Sequence, residues 1–228
     1  MRHVIVIGVG GVGAFALREL ARRGVSVLGL EAFHVGHDRG SSHGGTRVFE
    51  HADYVPLLRR STDVFRELSA SSGRSLLEVC GTLLIGKDTC PVVAAASAAA
   101  QQHRVPVEML SATEIVRRYP QFAIPTDHHA LFEPGGGFVR PEASIRAAVD
   151  DALSHGAEMR EGVRVEGIQE RANEVVVRTS DGDLHAERVL VTAGAWTSRL
   201  LPDLARVLRV TRQVQGWIQP ENAALGSP

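Results

Sequence analysis

Four apolar residues, Val4 to Ile7, run directly into Gly8-x-Gly10-x-x-Gly13, and few local patterns restrict a fold so tightly. The run is a buried strand by its length and its β-branched residues. The segment Ala14 to Arg23 carries Phe15, Leu17, Leu20 and Ala21 at roughly helical spacing, and Gly24 suits the left-handed position that closes a helix. A second strand is expected from Val25 to Leu30, with Glu31 at its end. Strand, glycine turn, helix, strand and terminal acid stand in the order of the dinucleotide-binding βαβ fingerprint, the acid falling about 20 residues on. Gly8 allows the tight turn, Gly10 lets a pyrophosphate approach the backbone, and Gly13 allows the helix to sit close on the strand, with Gly11 in the same turn. Glu31 would accept hydrogen bonds from ribose hydroxyls; an acid there rather than an arginine points to FAD or NAD instead of NADP. The fingerprint does not separate those two, and a tight turn without a ligand is its plainer reading.

The rest of the chain continues to alternate. Residues 33–52 are too rich in Gly, Ser and His for a helix or a buried strand and read as a loop. Helices are expected from Leu57 to Leu68 after Pro56, from Val92 to His103, from the Ser111-Ala-Thr-Glu114 capping box to before Pro120, and from Glu142 to His155. Strands are expected at Gly81 to Ile85 and Val107 to Leu110. An antiparallel set follows over Val163 to Val191, folded about a Ser180-Asp181-Gly182-Asp183 turn.

At 228 residues the chain can bury a real core, roughly 70% of its unfolded surface. A hydrophobic share of 44% and a charged share of 22% exclude a disordered chain. The net charge of −1 offers no basic field for nucleic acid or an anionic membrane. No apolar run approaches the roughly 20 residues of a membrane span, and the first is too short for a signal-peptide core, which leads to a cytoplasmic expectation. Cys80 and Cys90 have neither CxxC spacing nor nearby histidines, so they read as reduced packing thiols, and no metal site is expected.

The loop Gly40-Ser41-Ser42-His43-Gly44-Gly45-Thr46-Arg47 gathers hydroxyls, backbone N–H groups, an imidazole and a guanidinium just beyond the fingerprint. It suits a flavin diphosphate and ring edge as well as it suits a solvated loop. Here a resemblance enters. HVIVIGVGGVG, GSSHGGTR followed by HA, YVPLLRRS, GTLLIG, FEPGGGFVRPE, AGAW and RQVQGW occur in order along nearly the whole chain. Together they are similar to the monomeric sarcosine oxidase and N-methyltryptophan oxidase family. The resemblance implies an α/β fold in which a Rossmann-like FAD/NAD(P)-binding domain is interleaved with an α+β substrate domain. It also implies oxidation of a secondary amine or N-methyl amino acid, with FAD as cofactor and O2 as electron acceptor.

Carried over by position, the resemblance puts His43 and Arg47 beside the flavin ring as the catalytic pair, where fixed positive charge would favour reduced, anionic flavin. Ser41, Ser42 and Thr46 fall in the same cofactor loop; Val163 and Val165 match the strand meeting the adenine, and Ala193, Gly194 and Trp196 the segment closing over the dinucleotide. Loop anchoring, a surface ion pair and ordinary strand packing are their plainer roles.

Two departures stand out. Where sarcosine oxidase-like members carry an arginine for the substrate carboxylate, this chain has Glu50, which inverts the charge. After RQVQGW only a few residues follow, so the family's flavin-linking cysteine and O2-activating lysine have no counterpart, and Cys80, Cys90 and Lys87, the one lysine, sit in other contexts. The expectation is a C-terminally truncated chain: residues 1–80 and 141–206 in the FAD-binding domain, 81–140 in the substrate domain, and 207–228 at the start of a cut-off substrate-domain segment. Its expected partners are a small amine or amino-acid substrate, O2 and, as a candidate, a separate C-terminal polypeptide. A non-catalytic FAD-binding remnant and an NAD-dependent dehydrogenase are the other readings; the last leaves GSSHGGTR and RQVQGW without a role.

Overall fold

The computed structural model describes residues 2–42, 54–87, 89–212 and 214, which form two compact units. The described parts of the first are residues 2–42, 70–76, 140–212 and 214. It begins with β1 (Arg2–Ile7), α1 (Gly11–Arg22) and β2 (Val27–Leu30). Most of α2 (Val55–Ser72) belongs to the second unit; after residues 70–76 of the first the chain leaves again for β3 (Leu77–Val79), β4 (Thr82–Gly86), α3 (Pro91–His103), β5 (Glu108–Ser111), α4 (Ala112–Arg118), β6 (His129–Glu133) and β7 (Gly137–Val139). It returns through α5 (Pro141–Ser154), β8 (Glu158–Arg160), β9 (Val165–Glu170), β10 (Val175–Thr179), β11 (Gly182–Val191) and α6 (Thr197–Leu200).

The sheet of the first unit runs in the order β8-β2-β1-β11-β10-β9. Its β8, β2, β1 and β11 are parallel, and β11, β10 and β9 form an antiparallel meander. The apolar run that marked β1 is buried from Val4 to Ile7, as a strand covered on both faces requires. On one face Ile5, Ile7, Leu28 and Leu30 pack with Val163, Val177 and Ala186. On the other, α1 lies over Gly29, where an added Cβ would stand 3.1 Å from Leu17 Cδ2, and packs against α5. Buried Arg18 of α1 pairs with Asp151 of α5 at 2.7 Å.

Glycine stops end these helices as expected. After α1, Gly24 has φ +74, its N–H donates to Ala21 O at 2.8 Å, and Val25 N–H donates to Leu20 O at 3.0 Å, a complete Schellman motif. Val25 and Ser26 therefore belong to the cap, and the strand expected from Val25 starts at Val27. Gly156 closes α5 in the same way. In α3 the left-handed position is held by Arg104, at φ 52.

In the second unit β4, β6 and β5 form an antiparallel sheet, with α4 over a core of Leu110, Ile115 and Ala130. The Ser111–Glu114 capping box is present, Glu114 Oε2 accepting the Ser111 N–H at 2.8 Å. Strands β3, β6, β7 and β8 were not anticipated, and Val189–Val191 is the end of β11, which runs unbroken from Gly182. Cys80 is exposed rather than packed; Cys90 is half-buried, and both are free. Among the described residues no helix is long and apolar enough to cross a membrane.

Candidate cofactor site

The N-terminus of α1 meets the end of β11 at the top of the parallel strands. Gly8 has φ +86, and a Cβ there would stand 2.7 Å from Thr192 O and 2.9 Å from Ala193 Cα. Both conformation and space demand glycine. At Gly13 a Cβ would lie 1.9 Å from Gly8 O and 2.6 Å from Thr192 Oγ1. Thr192 ties the crossing together: its hydroxyl donates to Gly8 O at 2.6 Å, and its N–H donates to Ile7 O at 2.8 Å.

Gly10 differs from both. Among the described residues a Cβ there would meet only Ser42 Oγ, at 3.9 Å, so they leave the space above the turn open. Gly10 is the N-cap of α1 and has no side-chain cap bond, and the first turn carries no acidic residue. A helix N-terminus with no acidic residue in its first turn, behind a glycine, is suited to a diphosphate. Ser42 Oγ accepts the Gly11 N–H at 3.0 Å and closes one side of the opening.

Glu31 follows β2 and is 4% exposed. Its Oε2 accepts the Val9 N–H at 2.8 Å and its Oε1 the Phe33 N–H at 3.1 Å, so the acid is tied to the turn between β1 and α1. Its carbonyl accepts the Val163 N–H at 3.0 Å. Val163 thus abuts the acid, with its side chain in the core beside Leu30, whereas Val165 opens β9 and pairs with Thr179 at the sheet's outer edge. Both pack on the same core, Val163 within it and Val165 partly buried against it.

Ser41 is exposed. Ala193 lies against Gly8, and Gly194, at φ +51, starts the 3-10 turn Gly194–Trp196. The Trp196 ring stands 5.9 Å from Phe33. The expected residues Gly8, Gly11, Gly13, Glu31, Ser42, Val163 and Ala193 are thereby linked through backbone and hydroxyl contacts around Gly10. His43, Thr46, Arg47 and Glu50 lie outside the described residues, as does Trp217 of RQVQGW.

Sequence reasoning missed Val9, Thr192, Phe33 and His37. Thr192 had a signal: a hydroxyl residue directly ahead of the AGAW turn, where a parallel strand ends. Val9 acts through its amide alone, which leaves no trace in the sequence.

The family profile described as DAO, FAD dependent oxidoreductase, matches residues 3–224. The monomeric sarcosine oxidase of Streptomyces avermitilis is 39% identical over 224 residues, covering 96% of this chain and 58% of that relative. The N-methyl-L-tryptophan oxidase of Yersinia pestis strain Pestoides F is 34% identical over 223 residues, covering 96% of this chain and 60% of that relative. The open form of NikD, an unusual amino acid oxidase essential for nikkomycin biosynthesis, superposes with a TM-score of 0.78 at 28% identity, over 89% of this chain and 54% of that one. The chain thus spans about three-fifths of the length of the curated relatives it matches. With the α1 turn, the buried acid and a match over nearly the whole sequence in agreement, the chain belongs to the FAD dependent oxidoreductase family.

Proposed function

We propose that this chain is the dinucleotide-binding portion of an oxidase that converts a secondary amine or N-methyl amino acid to an imine, with O2 as the final electron acceptor. The observation that carries the reading is the open space at Gly10, set between the α1 N-terminus and buried Glu31. Bound there, FAD would supply the two-electron acceptor for the CH–NH bond. Gly10 and the first turn of α1 would hold the diphosphate, and Glu31 would take a ribose hydroxyl. The Gly194–Trp196 turn would close over the dinucleotide. Arg47 and His43 would stand by the flavin ring and stabilise negative charge on it, with Ser41 and Thr46 in the same loop.

Glu50 would favour a cationic amine over a carboxylate-bearing substrate. Residues 1–80 and 141–206 would serve the cofactor, and 81–140 with 207–228 the substrate side, with a separate C-terminal polypeptide as a candidate for the part of the relatives' length that this chain does not span. Two free thiols, Cys80 and Cys90, support a cytoplasmic setting.

The test is the visible absorption spectrum of the purified chain after incubation with FAD and removal of unbound cofactor. A retained flavin band is the expected result. Folded protein that keeps no flavin would overturn the reading, and retained flavin without amine turnover, with or without a supplied C-terminal half, would reduce it to a binding module.

A further inference from the structure

The loop between β2 and Ser42 is built around the Phe33 ring. The Arg39 guanidinium carbon lies 4.7 Å above that ring, His37 meets its edge at 4.9 Å, and Trp196 stands 5.9 Å away. The loop backbone is fixed from outside. Val35 N–H donates to Glu161 Oε1 at 2.5 Å, Gly162 N–H donates to Phe33 O at 3.1 Å, and Gly36 turns at φ +74 against Arg146.

Within this frame the His37 side chain is 10% exposed and faces Glu31. Its Nδ1 accepts the Arg39 N–H at 3.0 Å, which places the ring proton on Nε2. That Nε2 stands 3.4 Å from Glu31 Oε1, the oxygen already accepting from Phe33. Each carboxylate oxygen has about two acceptor positions. The Phe33 N–H and the His37 ring thus both lie on the Oε1 side, while among the described residues Oε2 accepts the Val9 N–H.

We propose that His37 is a positioning residue for the adenosine half of the cofactor: by occupying Oε1 it fixes the Glu31 carboxylate so that Oε2 receives a ribose hydroxyl. The proposal rests on the dinucleotide reading of the site. It differs from a packing role for the imidazole, in which only the contact with the Phe33 ring would matter.

The test is calorimetric titration of the full chain with ADP and with 2′-deoxy-ADP, for the parent, His37→Phe and His37→Gln. His37→Phe keeps a ring against Phe33 and removes the Nε2 proton; His37→Gln restores an N–H at about that position. His37→Phe is expected to weaken ADP binding about tenfold, the scale of one lost hydrogen bond near a charge, with 2′-deoxy-ADP changed less than about twofold and His37→Gln restoring ADP binding. In a Glu31→Gln background, His37→Phe is expected to change ADP binding no further, a check that does not depend on the single variant's stability. Equal losses for both ligands, or no loss for ADP, would overturn the proposal while the dinucleotide reading stood. A parent chain that binds neither ADP nor FAD would overturn the dinucleotide reading, and the proposal with it.

Discussion

Gly13 and Gly10 belong to one motif, yet the space around them assigns opposite consequences to substitution. A Cβ at Gly13 would meet backbone, 1.9 Å from Gly8 O, which cannot give way. Gly13→Ala is therefore expected to lower stability by about 3 kcal/mol, the upper range for overpacking, read by urea unfolding. Among the described residues Gly10 has only Ser42 Oγ near it, and Gly10→Val is expected to cost no more than about 1 kcal/mol as a poorer N-cap while abolishing FAD retention. A variant that keeps flavin like the parent would show that no diphosphate approaches there. Arg104, a non-glycine residue at φ 52 closing α3, gives the reverse case; Arg104→Gly is expected to raise stability by about 1 kcal/mol. Glu133 adds a pH dependence. Burial raises its carboxyl above the ordinary value of 4.5. The folded state then binds a proton that the unfolded state has already released, so stability falls as pH rises from 4.5 through the raised value. Glu133→Gln is expected to remove that decline, seen as a smaller loss in urea midpoint between acid and neutral pH; an unchanged loss would assign the decline to other groups.

The packing of α1 on α5 carries a buried charge pair, which tests how far that contact supports the sheet. Arg18 is 2% exposed and Asp151 13%, at 2.7 Å, so removing the acid takes from a buried cation the carboxylate that stands against it. Asp151→Ala is expected to cost about 3 kcal/mol, the scale for breaking a buried pair. Arg22→Ala is expected to cost under about 1 kcal/mol, because Arg22 is 36% exposed and stands 3.4 Å from the same oxygen. Equal costs in urea titrations would show that Arg18 is solvated. The helices were legible because their signals are local: the Ser111 box, the glycines at 24, 73 and 156, and apolar spacing. The first βαβ unit and the β10–β11 turn were legible for the same reason. Strand β8, Glu-Met-Arg, and strand β7, Gly-Phe-Val, are three residues each, too short to show a period, and exist through their partners β2 and β3. The parallel pairing of β11 with β1 joins residues at opposite ends of the described chain, and no local pattern encodes it. The site divides likewise: the glycines and Glu31 follow from spacing, while Thr192 and His37 acquire their places from that pairing and from the path of the loop.

The chain leaves the first unit at Leu76 and returns at Arg140, and the two points are joined by a hydrogen bond from Arg140 N–H to Leu76 O at 2.9 Å. Beyond it β3 and β7 pair antiparallel, Leu77 with Val139, Glu78 with Phe138 and Val79 with Gly137. The whole excursion is thus closed by a short ladder. Arg140 is the N-cap of α5, so the ladder passes the chain directly into the helix that packs on α1. Closing a loop between ends already held together adds little entropy for its length, and the intervening residues are not needed to bring Leu76 and Arg140 together. Replacing residues 80–136 by Asn-Gly would turn the ladder into a hairpin with a two-residue turn. The expected outcome is a chain in which the amides of Val4 to Ile7 remain protected from hydrogen exchange, because β1 keeps β2 and β11 on either side. Rapid exchange at those amides would show that the first unit depends on residues 80–136 for its fold.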